Sequence, residues 1–141
     1  IVEILKKTPK QVKVIEISSV FRNVLKKKFG NKIELFNNDA KELKAVIKTH
    51  SIDKLLLINV IYFLNPLDAY LKEFNRILDK KGVIFIAGKF DAVKKLDKNV
   101  FKNKQIKDLL KVFKRYFKVS HRFIDLGDDN SKYYAISLRK F

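Results

Sequence analysis

Two carboxylates lie at or near the ends of predicted strands, where they could bind a nucleoside. Glu16 lies near the end of Val-Lys-Val-Ile-Glu-Ile (12–17), directly before a predicted helix. Both ribose hydroxyls can donate to one carboxylate placed there, which gives a charge-assisted pair of hydrogen bonds. Asp39 ends the next predicted strand about 23 residues later and could accept a hydrogen bond from an adenine amino group. Acids at strand ends are also common as helix caps, so each residue alone has a structural alternative.

A strand, a helix and a second strand in the middle of the chain organise the predicted fold. Residues 55–58 form a short, continuous apolar run, which is typical of a strand buried on both faces of a parallel sheet. Residues 67–78 repeat apolar side chains with helical spacing, and Pro66 suits the first turn of that helix. Residues 80–82 (Lys-Lys-Gly) are typical of the end of that helix, and the apolar residues at 83–87 predict the second strand. This is a βαβ unit with a right-handed crossover.

The remaining elements extend this unit into an alternating α/β pattern. Further strands are predicted at 12–17, 32–36, 117–125 and 133–139, and further helices at 20–29, 43–47 and 106–113. A polar connector follows Gly88, and the loop at 126–132 predicts an antiparallel return. We therefore expect one doubly wound α/β domain over residues 1–141, with a mainly parallel sheet, residues 55–58 in its interior, and an antiparallel edge.

The composition excludes several classes of protein and several kinds of functional site. Hydrophobic residues make up 47% of the 141 residues, so the chain is globular. It has no cysteine, which excludes disulfides, a thiolate nucleophile and a cysteine-bound zinc. The longest apolar run, 55–64, is about half the length needed to cross a bilayer. No secretion signal opens the chain, so the cytoplasm is the expected compartment.

The net charge of +17 suggests a nucleic-acid partner as one interpretation. The cations are 27 Lys against 5 Arg, and they are scattered over every predicted helix. Arg is the residue that bidentate phosphate and base contacts favour. Solvated Lys faces are therefore the favoured interpretation, and nucleic acid stays an alternative partner.

Four segments together resemble one enzyme family. They read Val-Ile-Glu-Ile-Ser, Asn-Asp-Ala-Lys-Glu-Leu, Ile-Asp-Lys-Leu-Leu-Leu-Ile-Asn-Val-Ile-Tyr-Phe-Leu-Asn-Pro and Phe-Asn-Arg-Ile-Leu-Asp-Lys-Lys-Gly-Val-Ile. Their order and spacing resemble the class I S-adenosylmethionine-dependent methyltransferases, closest to the small-molecule branch called methyltransferase type 11. The resemblance covers roughly residues 1–90. It implies a Rossmann-like sheet, S-adenosylmethionine as cofactor and a small-molecule methyl acceptor.

The resemblance also implies roles for individual residues on the adenosine side of the cofactor. Glu16 would hold the ribose hydroxyls, and Ile17 would pack on the adenine ring. Asp39 would accept from the adenine amino group, and Ala40 would offer its backbone N–H.

A second set of residues follows residues 55–58 and would meet the reactive end of the cofactor. Asn59, Val60 and Ile61 would line the methionine side, and Tyr62 and Phe63 would lie near the methyl acceptor. From the residues alone, Tyr62 and Phe63 are about equally well explained as core residues. No catalytic acid or base is predicted, because the sulfonium of the cofactor already activates the methyl group.

The sequence departs from the family in one respect. The Gly-rich loop that follows the family's first strand does not occur, since the four Gly are at 30, 82, 88 and 127. The central first strand is missing with it. We therefore expect that chain preceded residue 1 in the natural protein, or that the protein is a degenerate relative, and that residues 1–141 alone bind the cofactor weakly.

Other polar residues have simpler explanations. His50 and His121 read as ordinary surface histidines. Asp125, Asp128 and Asp129 read as a solvated turn rather than a metal site, so no metal is predicted. Two further hypotheses stay open: a non-catalytic methyltransferase-like protein that binds a partner, and a methyltransferase that acts on RNA. The oligomeric state is left open.

Overall fold

The structure is a computed structural model that describes residues 1–8, 11–128 and 131–141. The α-helices are Val2–Lys7 (α1), Ser19–Phe29 (α2), Leu67–Ile77 (α3), Phe90–Val93 (α4) and Ile106–Phe113 (α5). The strands are Val12–Ile15 (β1), Ile33–Phe36 (β2), Ile52–Ile58 (β3), Leu78–Gly88 (β4), Lys118–Asp125 (β5) and Lys132–Arg139 (β6). The chain divides into two compact units, Ile1–Val46 and Ile47–Phe141.

The first unit contains a two-stranded parallel sheet. Strand β1 pairs with β2 in a register that sets Ile15 opposite Phe36. Helix α2 connects the two strands, and the hydroxyl of Ser18 caps its first turn by accepting from the N–H of Phe21 at 3.4 Å. Gly30 ends the helix at φ 50°, a backbone conformation that glycine adopts without steric cost. Because β1 and β2 are parallel, the residues after both strands lie at the same edge of this sheet.

The second unit contains a four-stranded mixed sheet in the order β3-β4-β6-β5. Strands β3 and β4 are parallel and joined by α3, as the sequence predicts. Strand β6 runs antiparallel to both β4 and β5, so the predicted antiparallel return is confirmed. Residues 129 and 130 of the connecting loop lie outside the described residues.

The core of the second unit lies on one face of this sheet. Alternate strand residues are buried, and so is the apolar stripe of α3 that the helical spacing predicts. The buried strand residues include Leu57, Ile84, Ile86, Ile136 and Leu138, and the buried helix residues include Leu71, Phe74, Ile77, Leu109 and Phe113. On the other face of the sheet the apolar side chains of Leu56, Ile58 and Phe85 are exposed.

The α/β fold class with parallel strands and an antiparallel edge is confirmed, but the expected single sheet is not. Residues 55–58 were expected in the interior, whereas β3 is an edge strand of the four-stranded sheet. Among the described residues no strand pairs with the side of β3 opposite β4. The prediction that residues 1–141 form one domain stays a prediction.

Three local predictions are wrong. Residues 43–47 form turns rather than a helix, because Asp39 accepts from the backbone N–H groups of Lys41 and Glu42 and starts a turn instead. Residues 80–82 do not end α3, which stops at Ile77 and leads directly into β4. The connector after Gly88 contains α4, whose Phe90 and Val93 are buried. In all three places tertiary burial or a local side-chain bond outweighs the sequence pattern.

Candidate functional site

Glu16 lies one residue beyond the end of β1. Its backbone N–H still donates to the carbonyl of Phe36 at 3.0 Å, which continues the parallel ladder by one residue. Its carboxylate oxygen Oε1 accepts from the backbone N–H of Ser18 at 2.8 Å. The second oxygen, Oε2, has no hydrogen-bond partner among the described residues. The side chain is therefore fixed through one oxygen and offers the other to a ligand.

Arg22 holds the segment that carries this carboxylate, a role that sequence reasoning missed. Its Nη1 donates to the backbone carbonyls of Glu16 at 3.0 Å and Ile17 at 2.7 Å. The Ile17 side chain is 70% exposed, which is unusual for isoleucine and leaves its apolar surface open to a ligand. One guanidinium group thus fixes the backbone of both residues assigned to the ribose and the adenine.

Asp39 lies three residues beyond β2, at the same edge of the two-stranded sheet as Glu16. Its Oδ1 accepts from the backbone N–H of Lys41 at 3.1 Å, and its Oδ2 lies 3.3 Å from the Lys41 ammonium. The side chains of this ion pair are about one third exposed, so the pair contributes little to stability. Ala40 is half-buried in the same turn. The structure thus brings Glu16 and Asp39 to one edge, as expected.

Asn59 directly follows β3 in the second unit and has a backbone φ of 55°, a left-handed conformation that few residues other than glycine adopt. Its N–H donates to the carbonyl of Ala87 at 2.8 Å, which extends the parallel pairing with β4. Val60 follows and is 41% exposed, whereas Ile61 is fully buried. Asn59 and Val60 are therefore accessible at the carboxyl end of β3, and their predicted role toward the methionine part of the cofactor stays a prediction.

Tyr62 and Phe63 lie in a short 3-10 helix, Ile61–Phe63. Tyr62 is only 2% exposed and packs edge-on against Phe90 at 5.2 Å between ring centroids, whereas Phe63 is 48% exposed. The Tyr62 hydroxyl donates to Oδ1 of Asn59 at 3.4 Å, and burial raises the pKa of this phenol. Of the two aromatic residues, Phe63 presents more surface for a methyl acceptor. Both assignments stay predictions.

Asn103 fixes this 3-10 segment from a distant part of the chain. Its Nδ2 donates to the carbonyls of Ile61 at 2.8 Å and Leu64 at 2.7 Å. The neighbouring Lys104 is buried and donates to the carbonyls of Lys94 and Leu96. Both residues satisfy backbone groups that no regular element pairs. Sequence reasoning missed them, because nothing in a polar connector marks one amide as a long-range donor.

The remaining polar residues behave as ordinary surface groups. His50 and His121 are both exposed, and Nδ1 of His50 lies 3.1 Å from the carbonyl of Leu78. Asp125 and Asp128 accept hydrogen bonds from the Gly127 backbone and the Ser131 hydroxyl, contacts that belong to a turn. Asp129 lies outside the described residues. Within the described ranges, no three His, Asp or Glu side chains converge as they would around a metal ion, and no helix is long and apolar enough to cross a membrane.

A family model described as a methyltransferase domain matches residues 1–86, which is more than half of the chain. The chain belongs to this methyltransferase family. The match includes Glu16, Asp39 and Asn59 together with the βαβ unit up to Ile86 in β4. No curated protein matches the sequence of this methyltransferase domain.

Solved structures share the fold of this methyltransferase domain at low sequence identity. A SAM-dependent methyltransferase from Archaeoglobus fulgidus has a TM-score of 0.75 and 15% identity over 99% of this chain and 80% of its own. The 1,6-didemethyltoxoflavin-N1-methyltransferase of Burkholderia thailandensis was solved with S-adenosylhomocysteine. It has a TM-score of 0.70 and 13% identity over 99% of this chain and 65% of its own. The N-methyltransferase NodS of Bradyrhizobium japonicum has a TM-score of 0.69 and 14% identity over 97% of this chain and 78% of its own. These likenesses establish the Rossmann-like fold of the methyltransferase domain.

Proposed function

We propose that this methyltransferase domain uses S-adenosylmethionine as methyl donor and binds its adenosine part through Glu16, Ile17, Asp39 and Ala40. The observation that carries the proposal is the geometry of Glu16. One of its carboxylate oxygens is fixed by the Ser18 N–H at 2.8 Å, and the other has no partner in the described part of the chain. A pre-positioned carboxylate oxygen suits the paired hydroxyls of a ribose.

Two further features of the first unit support the adenosine assignment. Ile17 exposes apolar surface next to Glu16, as packing against an adenine ring requires. Asp39 follows the neighbouring parallel strand, where ligands of open α/β sheets bind. Its carboxylate also contacts Lys41, so an adenine amino group would share oxygens that already accept hydrogen bonds.

The reaction needs positioning more than acid-base chemistry. S-adenosylmethionine supplies a methyl group already activated by its sulfonium, so the protein has to align the acceptor with that methyl group and exclude water. Asn59 and Val60 are proposed to contact the methionine part, and Tyr62 and Phe63 to contact the acceptor. No residue of the chain is assigned as a catalytic acid or base.

A small molecule is the proposed acceptor class. The Burkholderia thailandensis neighbour binds 1,6-didemethyltoxoflavin, a small molecule, and it shares the fold. We place the reaction in the cytoplasm, as the sequence suggests. RNA stays the alternative acceptor, supported by the charge of +17.

A non-catalytic, partner-binding role is the second candidate. The sequence has no Gly-rich turn before Glu16, so residues 1–141 lack the backbone donors that would hold the methionine part of the cofactor. Losing several hydrogen bonds of about 1 kcal/mol each removes about 4 kcal/mol. That deficit corresponds to a roughly thousandfold weaker dissociation constant.

Titration calorimetry with S-adenosylmethionine tests the proposal on two versions of the protein. The first is residues 1–141, and the second carries an added N-terminal strand and Gly-rich turn. We expect little or no binding to the first and recovered binding to the second. Tight binding to residues 1–141 would show that the Gly-rich turn is dispensable. No binding to either version would favour the non-catalytic role.

A pair of variants in the extended version then tests the ribose assignment. Glu16→Gln removes the charge and half of the acceptor capacity of this side chain, so binding should weaken by about tenfold or more. Glu42→Gln makes the same chemical change at an exposed position of the same unit and should bind as the parent does. Equal affinity of Glu16→Gln and the parent protein would remove Glu16 from the site.

A further inference from the structure

A polar cavity of about 430 Å³ lies between α2 and β2 in the first unit. We call it the α2–β2 cavity. Two of its lining residues are apolar and belong to β2: Ile33, which is buried, and Leu35, which is half-buried. The other lining residues, apart from Gly30, have polar or cationic side chains, and they are Arg22, Asn23, Lys26, Asn31 and Asn37. A cavity of this volume accommodates one small molecule.

Arg22 brings an unpaired edge of its guanidinium group to this cavity. Its Nη1 donates to the carbonyls of Glu16 and Ile17, which fixes the position of the group. Its Nε and Nη2 donate no hydrogen bond to residues 1–8, 11–128 or 131–141. The Nε–Nη2 edge of a guanidinium carries parallel N–H donors, which match two oxygens of one phosphate or carboxylate. Arg22 is therefore held on one side and can bind an anion with the other.

The remaining polar side chains of the cavity also lack partners within the described part of the chain. Lys26 lies one helical turn after Arg22, so both cations project from the same side of α2. Lys26 forms no ion pair with any described carboxylate. The amides of Asn23, Asn31 and Asn37 make no hydrogen bond to the described residues, and each offers two donors and one acceptor oxygen. The cavity thus presents several donors that a ligand can use.

The charge of the cavity has one sign. No carboxylate is among its lining residues. Glu34 stands between Ile33 and Leu35 in β2, but successive side chains of a strand point to opposite faces. Glu34 accordingly pairs with Lys13 on the other face of the two-stranded sheet. The cavity is therefore electropositive, and an anion entering it meets no described acidic side chain in its lining.

The cavity lies away from the surface that any chain preceding residue 1 would cover. A strand before α1 would pair beside β1, because β2 occupies the other edge of β1, and no residue of β1 lines the cavity. The apolar side chains that α2 leaves uncovered include Val20 and Val24, which are 69% and 54% exposed. They are two residues out of step with Arg22 and Lys26, which places them about 200° away around the helix.

We propose that the α2–β2 cavity binds a small phosphate monoester. The phosphate oxygens accept from the Nε–Nη2 edge of Arg22 and from the ammonium group of Lys26. The carbon part of the ligand lies against Ile33 and Leu35, and the surrounding amides hydrogen-bond to its hydroxyl and carbonyl groups. The two cations match the charge of a monoester, which is about −1.5 to −2 at neutral pH.

A phosphodiester backbone fits the cavity less well. Each phosphodiester carries a single negative charge, and nucleic acids are held by cations that follow the strand over several phosphates. The cavity offers only two cations among its lining residues, because Lys27 and Lys28 of the same helix do not line it. Its volume also suits one small molecule rather than a strand that passes through. The lining therefore favours a monoester over RNA.

The cavity is separate from the contacts proposed for the cofactor. Its lining does not include Glu16, Ile17, Asp39 or Ala40. Phosphate binding can therefore be measured on residues 1–141 without S-adenosylmethionine, and the result does not depend on the proposed methyl transfer. The ligand used for the test should contain no adenine, so that it does not use the contacts proposed for the adenine ring.

Nuclear magnetic resonance titration of the ¹⁵N-labelled full chain tests the proposal with three ligands. They are uridine 5′-monophosphate, uridine, and an RNA strand of about ten uridines without a terminal phosphate. We expect the monophosphate to shift the signals of Arg22 and of the three asparagine amides in a saturable way. Uridine and the RNA strand should bind these residues at least about tenfold more weakly.

Two variants and a matched control separate the cavity from general charge attraction. Lys26→Glu reverses one of its two charges, and Asn31→Asp adds a carboxylate to the lining with almost no change in shape. Each should weaken the monophosphate by about tenfold or more. Lys27→Glu makes the same charge reversal at the next position of α2, also in its last turn but outside the cavity, and should bind as the parent does.

Each outcome decides for or against the cavity. Equal binding of uridine and its monophosphate, equal binding of the RNA strand at these residues, or no saturable shift up to about 10 mM ligand would overturn the proposal. It also fails if Lys27→Glu weakens binding as much as Lys26→Glu does, because the attraction is then non-specific. The amide spectrum checks the fold of each variant, and Asn31→Asp decides the question if Lys26→Glu does not fold.

Discussion

The backbone N–H of Ser18 donates a hydrogen bond of 2.8 Å to the carboxylate of Glu16 at the junction between β1 and α2. The hydroxyl of the same serine caps α2 by accepting from the N–H of Phe21. Ser18 therefore positions the proposed ribose ligand with its backbone and starts the helix with its side chain. The two roles can be separated by mutation, because substitution of the side chain leaves the backbone donor in place.

Ser18→Ala should destabilise the protein without weakening the proposed cofactor contact. The variant loses the N-cap acceptor, which lowers the free energy of unfolding by about 1 kcal/mol. Its backbone N–H can still donate to Glu16. Urea unfolding measures the loss of stability, and Ser19→Ala is the matched control at a position where the hydroxyl is not the cap. An unchanged unfolding midpoint for Ser18→Ala would show that the cap is not needed.

Arg22→Ala should loosen the segment that carries Glu16 and Ile17. Two charge-assisted hydrogen bonds to backbone carbonyls are lost, so we expect the free energy of unfolding to fall by about 1.5–3 kcal/mol. The measurement is urea unfolding, with Lys27→Ala as a control on an exposed position of the same helix. In the version extended with a Gly-rich turn, cofactor binding should weaken too. Equal stability of the two variants would contradict the positioning role of Arg22.

Asn103→Ala should affect the segment that contains Tyr62 and Phe63. The variant removes the Asn103 donor from the carbonyls of Ile61 and Leu64, and the Ile61 carbonyl keeps only the 3.4 Å hydrogen bond from the Leu64 N–H, so we expect a cost of about 1–3 kcal/mol. Amide hydrogen exchange should then quicken in residues 61–64 more than in β4. Asn99→Ala is the control, an exposed amide in the same connector. Unchanged exchange in residues 61–64 would show that other contacts hold this segment.

Stability at alkaline pH should depend on Tyr62. Burial raises the pKa of its phenol above the ordinary value of 10, and a backbone hydrogen bond from Lys89 partly opposes this. The unfolded chain therefore loses this proton first, so the contribution of Tyr62 to stability is complete below about pH 10 and falls as the pH rises toward the folded pKa.

The Tyr62→Phe variant should show a smaller loss of stability above that pH than the parent does. Urea unfolding at neutral pH and at several alkaline values measures the difference in slope. Tyr133→Phe, which removes a tyrosine from β6, is the control. Parallel pH profiles for Tyr62→Phe and the parent protein would refute the prediction.

The sequence determined the family, most of the elements and the sheet edge at which Glu16 and Asp39 both lie. These features depend on local pattern: apolar runs define β3 and β4, helical spacing defines α3, and parallel strands bring the residues after β1 and β2 to one edge. Such features follow from the residues within one element or two consecutive ones, so the order of residue types is enough to predict them.

The tertiary structure alone decided which polar groups serve as long-range donors and which apolar strands remain uncovered. Asn103 and Arg22 bind carbonyls that no sequence pattern connects to them, since a hydrogen bond depends on distance in space. Leu56, Leu57 and Ile58 are equally apolar in sequence, yet Leu57 is 5% exposed and its neighbours are 43% and 60% exposed. The pleat of the strand turns them to opposite faces, and only the packing of other elements determines which face is covered.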